Sequence, residues 1–128
     1  MKKIMLLLAL CLLPVFWHFG HTSTDASDIW KKVEIDFSQI DAAGLRGPAD
    51  GKVAVAYEFS IPDTEDARNQ VAAIDNTVQF MSGSHGRIGA KSGECLCIGS
   101  THQPEYRQVL FKLASLPFIK RIIVCDFE

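Results

Sequence analysis

The 128-residue chain has room for one domain, and its nearly balanced charge excludes a large nucleic-acid interface. It carries 13 lysines and arginines against 15 aspartates and glutamates, whereas nucleic-acid binding needs a clustered basic excess. Hydrophobic residues make up 48% of the chain, which excludes an intrinsically disordered protein and is typical of a globular one.

The N-terminus has the pattern of a secretory signal. Lys2 and Lys3 precede a run from residue 4 to 19 that is almost wholly apolar, the order of a basic n-region and an apolar h-region. The run is shorter than the about 20 residues of a relaxed membrane-spanning helix, and its cleavage site is poorly marked. Residues 1–21 are therefore predicted to be either a signal peptide or an uncleaved membrane anchor. The protein is expected to be extracytoplasmic, either periplasmic or secreted.

Residues 22–51 are predicted to form a polar linker, a short strand and a loop. Residues 33–37 alternate apolar and polar side chains, which indicates a strand. Three glycines and a proline between residues 42 and 52 indicate a loop.

Residues 52–128 are predicted to form a second unit, with four strands and two helices in the order β-α-β-β-α-β. The strands are expected at 53–61, 77–81, 94–99 and 118–127, and the helices after residue 62 and at about 103–115. This order is that of the ferredoxin-like fold, an α+β two-layer sandwich. Right-handed crossovers then predict a four-stranded antiparallel sheet of order 4-1-3-2, with both helices on one face. The strand at 33–37 is extra, either at a sheet edge or across the open face.

Alternation along the strands predicts which side chains face the helices. Val53, Val55, Tyr57 and Phe59, with Leu96 and Ile98, are expected to face them. Cys95 and Cys97 would then face away, beside Glu58. An uncovered face of this kind is a candidate surface for a homodimer.

Three cysteines lie outside the N-terminal segment: Cys95, Cys97 and Cys125. A bond between Cys95 and Cys97 would be strained, because same-face neighbours in one strand lie about 6.5–7 Å apart. The ordinary use of such thiols is as small buried hydrophobes. The alternatives are a redox or intermolecular disulfide, a soft-metal site that needs two further ligands, and a catalytic cysteine that needs a base the sequence does not show.

Two segments are candidates for binding an anion. The glycine-rich loop, residues 82–93, contains four glycines that expose backbone N–H groups, and it also carries basic side chains. Residues 100–102 lie at the predicted start of the second helix, where the helix dipole attracts anions, although a hydroxyl there more commonly caps the helix. The candidate ligand-binding residues are Ser84, His85, Arg87, Lys91, Ser100, Thr101 and His102.

The sequence thus predicts a small exported or membrane-anchored domain that binds a small anionic ligand or a protein partner. The alternative is an extracytoplasmic thiol-redox or soft-metal-binding protein that uses Cys95 and Cys97. No nucleophile, base and orienting group are matched along the chain, so we do not expect an enzyme, and no pattern predicts a cofactor. Contact with the membrane is expected only through the N-terminal segment.

Overall fold

A computed structural model of the chain describes residues 25–126. This range contains three α-helices, a five-stranded mixed sheet and a two-stranded sheet, which confirms the predicted α+β class. The helices are α1 (Ala26–Trp30), α2 (Glu65–Ile74) and α3 (Tyr106–Ser115), and a 3-10 helix covers Phe37–Gln39. The strands are β1 (Val33–Glu34), β2 (Leu45–Arg46), β3 (Val53–Ala54), β4 (Ala56–Pro62), β5 (Gln79–Ser82), β6 (Glu94–Ser100) and β7 (Ile122–Val124). The predicted signal or anchor at residues 1–21 lies outside the described residues.

The large sheet has the order β1-β7-β4-β6-β5. It is mixed because β1 pairs in parallel with β7, whereas the other neighbours pair antiparallel. The extra N-terminal strand therefore lies at a sheet edge. It is shorter than predicted, because the Asp36 carboxylate accepts the Ser38 N–H (3.0 Å) and starts the 3-10 helix.

The single strand predicted at 53–61 is broken at Val55. Val55 N–H donates to the Thr101 hydroxyl (3.0 Å), and Thr101 N–H donates to the Val55 carbonyl (2.9 Å). Before this break, β3 pairs with β2 in a small hairpin, so the predicted loop at 42–52 contains a strand. Val53 is consequently 56% exposed and does not face the helices as predicted.

The main core lies between the large sheet and the helices. Tyr57, Phe59 and Ile61 of β4 are fully buried there. α2 and α3 contribute their apolar stripes to the same core, and α2 begins where predicted because the Thr64 hydroxyl accepts the Ala67 N–H (3.2 Å). The residues before 52 also contribute, through Ile29, Val33 and Ile40. None of the helices within residues 25–126 has the length and apolarity to cross a membrane.

Candidate functional site

The glycine-rich loop folds over the sheet face that is opposite the helices. Ile88 N–H donates to Glu58 Oε1 (2.8 Å), and Glu58 is only 2% exposed. At Gly86, whose φ is +60°, an added Cβ would lie 2.8 Å from Leu96 Cδ1 and 2.9 Å from Glu58 Oε2. The face predicted to be open is therefore covered at Glu58 and Leu96, and the homodimer through it stays a prediction.

Internal hydrogen bonds give this loop a defined shape. Ala90 N–H donates to the His85 carbonyl (2.8 Å), and His85 Nδ1 lies 2.7 Å from the Ala90 carbonyl. Because a carbonyl can only accept, this contact places the proton of a neutral His85 on Nδ1. Lys91 N–H donates to Glu94 Oε1 (3.2 Å) at the loop's far end. The imidazole that the sequence suggested for ligand binding thus also helps to close the loop.

Cys95 and Cys97 point in the direction opposite to the prediction. In the β4–β6 register Cys97 is opposite Phe59 and Cys95 is opposite Ile61, so both thiols join the core between the sheet and the helices. Leu96 and Ile98 face the glycine-rich loop's side of the sheet instead. The prediction was wrong because the sheet is buried on both faces, so that a large apolar residue such as Leu96 also belongs on the second face.

The environments of Cys97 and Cys125 disfavour their thiolate forms. Burial, followed by the neighbouring Cys95, raises the pKa of the Cys97 thiol well above its ordinary value. Burial and the adjacent Glu58 carboxylate raise the pKa of Cys125. Within residues 25–126 no three His, Cys, Asp or Glu side chains are grouped in a way that could hold a metal ion. This geometry favours the cysteines as packing residues.

We expect Cys95 and Cys97 of the native protein to resist a thiol reagent. In a Cys11→Ser background, partly exposed Cys125 should react in the folded state, whereas Cys95 and Cys97 should react at least about a thousandfold more slowly than in denaturant. Time-resolved labelling with Ellman's reagent measures these rates. Fast labelling of Cys95 or Cys97 in the folded protein would contradict this assignment and favour the thiol-dependent function.

Thr101 is committed to the fold. Its side chain is fully buried; the hydroxyl donates to the Gly44 carbonyl (2.6 Å) and accepts the Val55 N–H. Neither Ser100 nor Thr101 caps α3, which was the predicted alternative use. The helix begins later than expected, after Glu105, which occupies the N-cap position with a φ of +55°.

Ser100 and His102 are more accessible than Thr101, but they are also engaged. The Ser100 hydroxyl accepts His102 N–H (3.1 Å), and His102 Nδ1 lies 3.3 Å from the Ala43 carbonyl. These contacts hold residues 100–102 against the loop that precedes β2. The three residues therefore connect two parts of the fold and do not line the cavities formed by the glycine-rich loop.

The structure separates the remaining candidate residues. Ser84, His85 and Lys91 line one cavity of about 370 Å³, together with the carboxylates of Asp63 and Glu94. Arg87 lies elsewhere: its guanidinium is 4.0 Å from Asp126 after β7. The seven predicted residues therefore do not form one site.

A second cavity concentrates positive charge more strongly. This basic cleft, of about 180 Å³, lies between the glycine-rich loop, β4 and the segment that leads into β7. Its polar side chains are Ser60, Lys91, Glu94, Lys120 and Arg121. Of these, only Lys91 was predicted, because Lys120 and Arg121 reach the loop only through the pairing of β7 with β4.

Sequence reasoning also missed a buried polar network, which lies on the helix side of the large sheet. The Tyr57 hydroxyl donates to Asp75 Oδ2, and Thr77 donates to Asp75 Oδ1 through both its N–H (2.9 Å) and its hydroxyl (2.7 Å). The Gln103 amide adds donors to Asp75 Oδ1 (3.2 Å) and to the Tyr57 oxygen (3.2 Å). Both Tyr57 and Asp75 are buried, so we interpret the network as structural.

Comparison with known proteins found no matching family, no similar curated protein and no similar solved structure. A function for this chain is therefore inferred from the geometry of its described residues.

Proposed function

We propose that this protein is an exported domain that binds a small anion in the basic cleft. The observation that carries the proposal is the convergence of three cationic side chains, Lys91, Lys120 and Arg121, on one small cavity. Ser60 adds a hydroxyl that can donate a hydrogen bond. The chemistry of the cleft fits a carboxylate or phosphate group, because ammonium and guanidinium groups donate charge-assisted hydrogen bonds to such oxygens.

Neighbouring carboxylates moderate this charge. Glu94 lines the same cleft, and Arg121 Nε donates to Glu34 Oε2 (2.6 Å). Lys91 and Lys120 therefore supply most of the unbalanced positive charge. A cavity of about 180 Å³ is smaller than the about 300–1,000 Å³ of drug-sized sites. Its size favours a compact anion over a nucleotide.

Replacing both lysines should weaken anion binding. In titration calorimetry with inorganic phosphate, we expect K91A/K120A to lose about tenfold or more in affinity, the consequence of about 1.4 kcal/mol of lost charge-assisted interaction. Added salt should weaken wild-type binding, because the lysines are exposed.

Two variants serve as controls for this titration. Lys31→Ala removes an exposed lysine that pairs with Asp28 on α1, and it should leave binding unchanged. Arg87→Ala distinguishes the basic cleft from the loop site suggested by the sequence. If Arg87→Ala lowers the affinity for phosphate and K91A/K120A does not, the basic cleft is refuted as the site. The anion would then bind at the part of the glycine-rich loop that carries Arg87.

We also infer a ferredoxin-like topology. Its support is the order of β4, α2, β5, β6, α3 and β7 along the chain, together with the neighbour order β7-β4-β6-β5. β1 and the β2–β3 hairpin are then additions to this unit. Cross-strand nuclear Overhauser effects between Tyr57 and Val124, and between Phe59 and Cys97, test this arrangement, and their absence would reject it.

Export and anchoring are proposed from the N-terminal sequence. Lys2, Lys3 and the apolar run at 4–19 support them. The intact mass of the protein recovered from its cellular location distinguishes a cleaved chain from a retained anchor. Full-length protein in a cytoplasmic fraction would reject both.

A further inference from the structure

An aromatic groove on the helix layer is not used by the proposed anion site. It is formed by Trp30 at the end of α1 and by one side of α3, and its volume is about 390 Å³. The Trp30 and Phe111 rings lie 5.4 Å apart, and both are only partly buried. The residues that line the groove are Trp30, Arg107, Gln108, Phe111 and Lys112.

Two cations lie at the edge of this apolar surface. The Arg107 guanidinium is 5.2 Å from the centre of the Phe37 ring, and Lys112 is exposed in the last turn of α3. Within residues 25–126, neither side chain forms an ion pair with a carboxylate. Aromatic rings beside long basic side chains are the composition that settles at a membrane–water interface.

The position of the groove in the chain also points to a membrane. The apolar run ends at Phe19, and six residue steps to Asp25 span at most about 22 Å. α1 then adds about 7.5 Å before Trp30. A chain anchored by its apolar run would therefore hold the groove within about 30 Å of the bilayer surface.

We propose that the aromatic groove docks on an anionic membrane surface while residues 4–19 anchor the chain. This inference rests on the proposed anchoring and is independent of the basic cleft. Trp30 and Phe111 enter the headgroup region, and Arg107 and Lys112 bind lipid phosphates there. Docking fixes the orientation of the domain, with the helix layer toward the bilayer and the glycine-rich loop away from it.

Trp30 fluorescence tests this orientation. The chain has two tryptophans, so Trp17→Phe leaves Trp30 as the only one. The full-length Trp17→Phe protein is reconstituted in phosphatidylglycerol–phosphatidylcholine vesicles with or without bromine on the acyl chains. We expect brominated lipid to quench Trp30 and vesicle flotation to carry the protein. The R107Q/K112Q variant should reduce the docking equilibrium about thirtyfold, because each basic residue near an anionic surface contributes about five- to sixfold.

A matched double variant controls for total charge. R46Q/K52Q removes two cations from the β2–β3 hairpin, where they pair with Asp126 and Asp41, and it should leave quenching unchanged. Circular dichroism verifies the fold of each variant. If R107Q/K112Q does not fold, the Trp17→Phe protein with Arg107 and Lys112 intact is compared on anionic vesicles and on pure phosphatidylcholine vesicles. Weaker quenching on phosphatidylcholine supports the proposal.

The outcomes separate docking from anchoring. Protein that floats with vesicles while Trp30 stays unquenched overturns docking and leaves anchoring intact. Protein that does not float overturns both. Quenching that is indifferent to headgroup charge and to R107Q/K112Q overturns the anionic surface as the partner. An unquenched Trp30 whose emission shifts to the blue as protein concentration rises would indicate a second copy of the chain as the occupant and would also overturn the proposal.

Discussion

Gly99→Ala is expected to destabilise the protein by about 2–5 kcal/mol, from overpacking and from disruption of the buried polar network. An added Cβ at position 99 would lie 2.5–2.7 Å from the Tyr57 ring and hydroxyl. Tyr57 cannot move aside easily, because it is fully buried and its hydroxyl is bound to Asp75. Gly99 itself lies within β6, paired opposite Tyr57. Urea unfolding monitored by circular dichroism measures the loss.

Gly51→Ala is the matched control for this substitution. Gly51 has no positive φ, and the nearest atom to an added Cβ is Pro48 Cγ at 3.6 Å, an ordinary contact. The control should be neutral or stabilising by up to about 1 kcal/mol, because alanine restricts the unfolded chain. Equal urea concentrations at the unfolding midpoint for Gly99→Ala and Gly51→Ala would show that Tyr57 does not pack closely on Gly99.

Asp75→Ala is expected to cost about 3 kcal/mol or more, because it leaves several buried donors without an acceptor. The Asp75 carboxylate accepts hydrogen bonds from Tyr57, Thr77 and Gln103. Asp66 in the first turn of α2 is exposed, so Asp66→Ala serves as the matched control and should cost about 1 kcal/mol or less. Equal unfolding free energies for the two alanine variants in urea titrations would contradict a structural role for the network.

The same network predicts a dependence of stability on alkaline pH. Burial, followed by the Asp75 charge, raises the pKa of Tyr57 well above its ordinary value. The folded state therefore retains a proton that an unfolded tyrosine loses above about pH 10. Stability is fully present below that pH and falls as pH rises, by up to about 1.4 kcal/mol per pH unit. Tyr57→Phe should remove this part of the slope in urea titrations. An unchanged slope would show that Tyr57 ionises normally.

The buried network and the glycine-rich loop act on opposite sides of the large sheet. Asp75, Thr77 and Gln103 connect the end of α2 to β6 and to the segment before α3. On the other face, Glu58 holds the loop through the Ile88 N–H. The sheet thus lies between two polar contacts, and the basic cleft is formed at the edge of the loop that Glu58 positions.

Local patterns in the sequence were sufficient for the fold class and for most elements. Alternation and capping residues depend on neighbours within a few positions, so β6 and the start of α2 lie where predicted. α3 starts later than predicted, because Gln103 and the hydroxyl of Thr101 are used in long-range contacts. Such contacts join residues 28 and 57 positions apart and leave no local signal.

The sequence by itself determined the α+β class, the near balance of charge and the order of the main elements, because composition and periodicity carry that information. Only the tertiary structure decided that Cys95 and Cys97 face the core, that the glycine-rich loop covers the sheet, and that Lys91 meets Lys120 and Arg121. The physical reason is that a sheet buried on both faces loses the period-two difference between apolar and polar positions. The neighbours of a loop are likewise set by strand pairing across the whole chain.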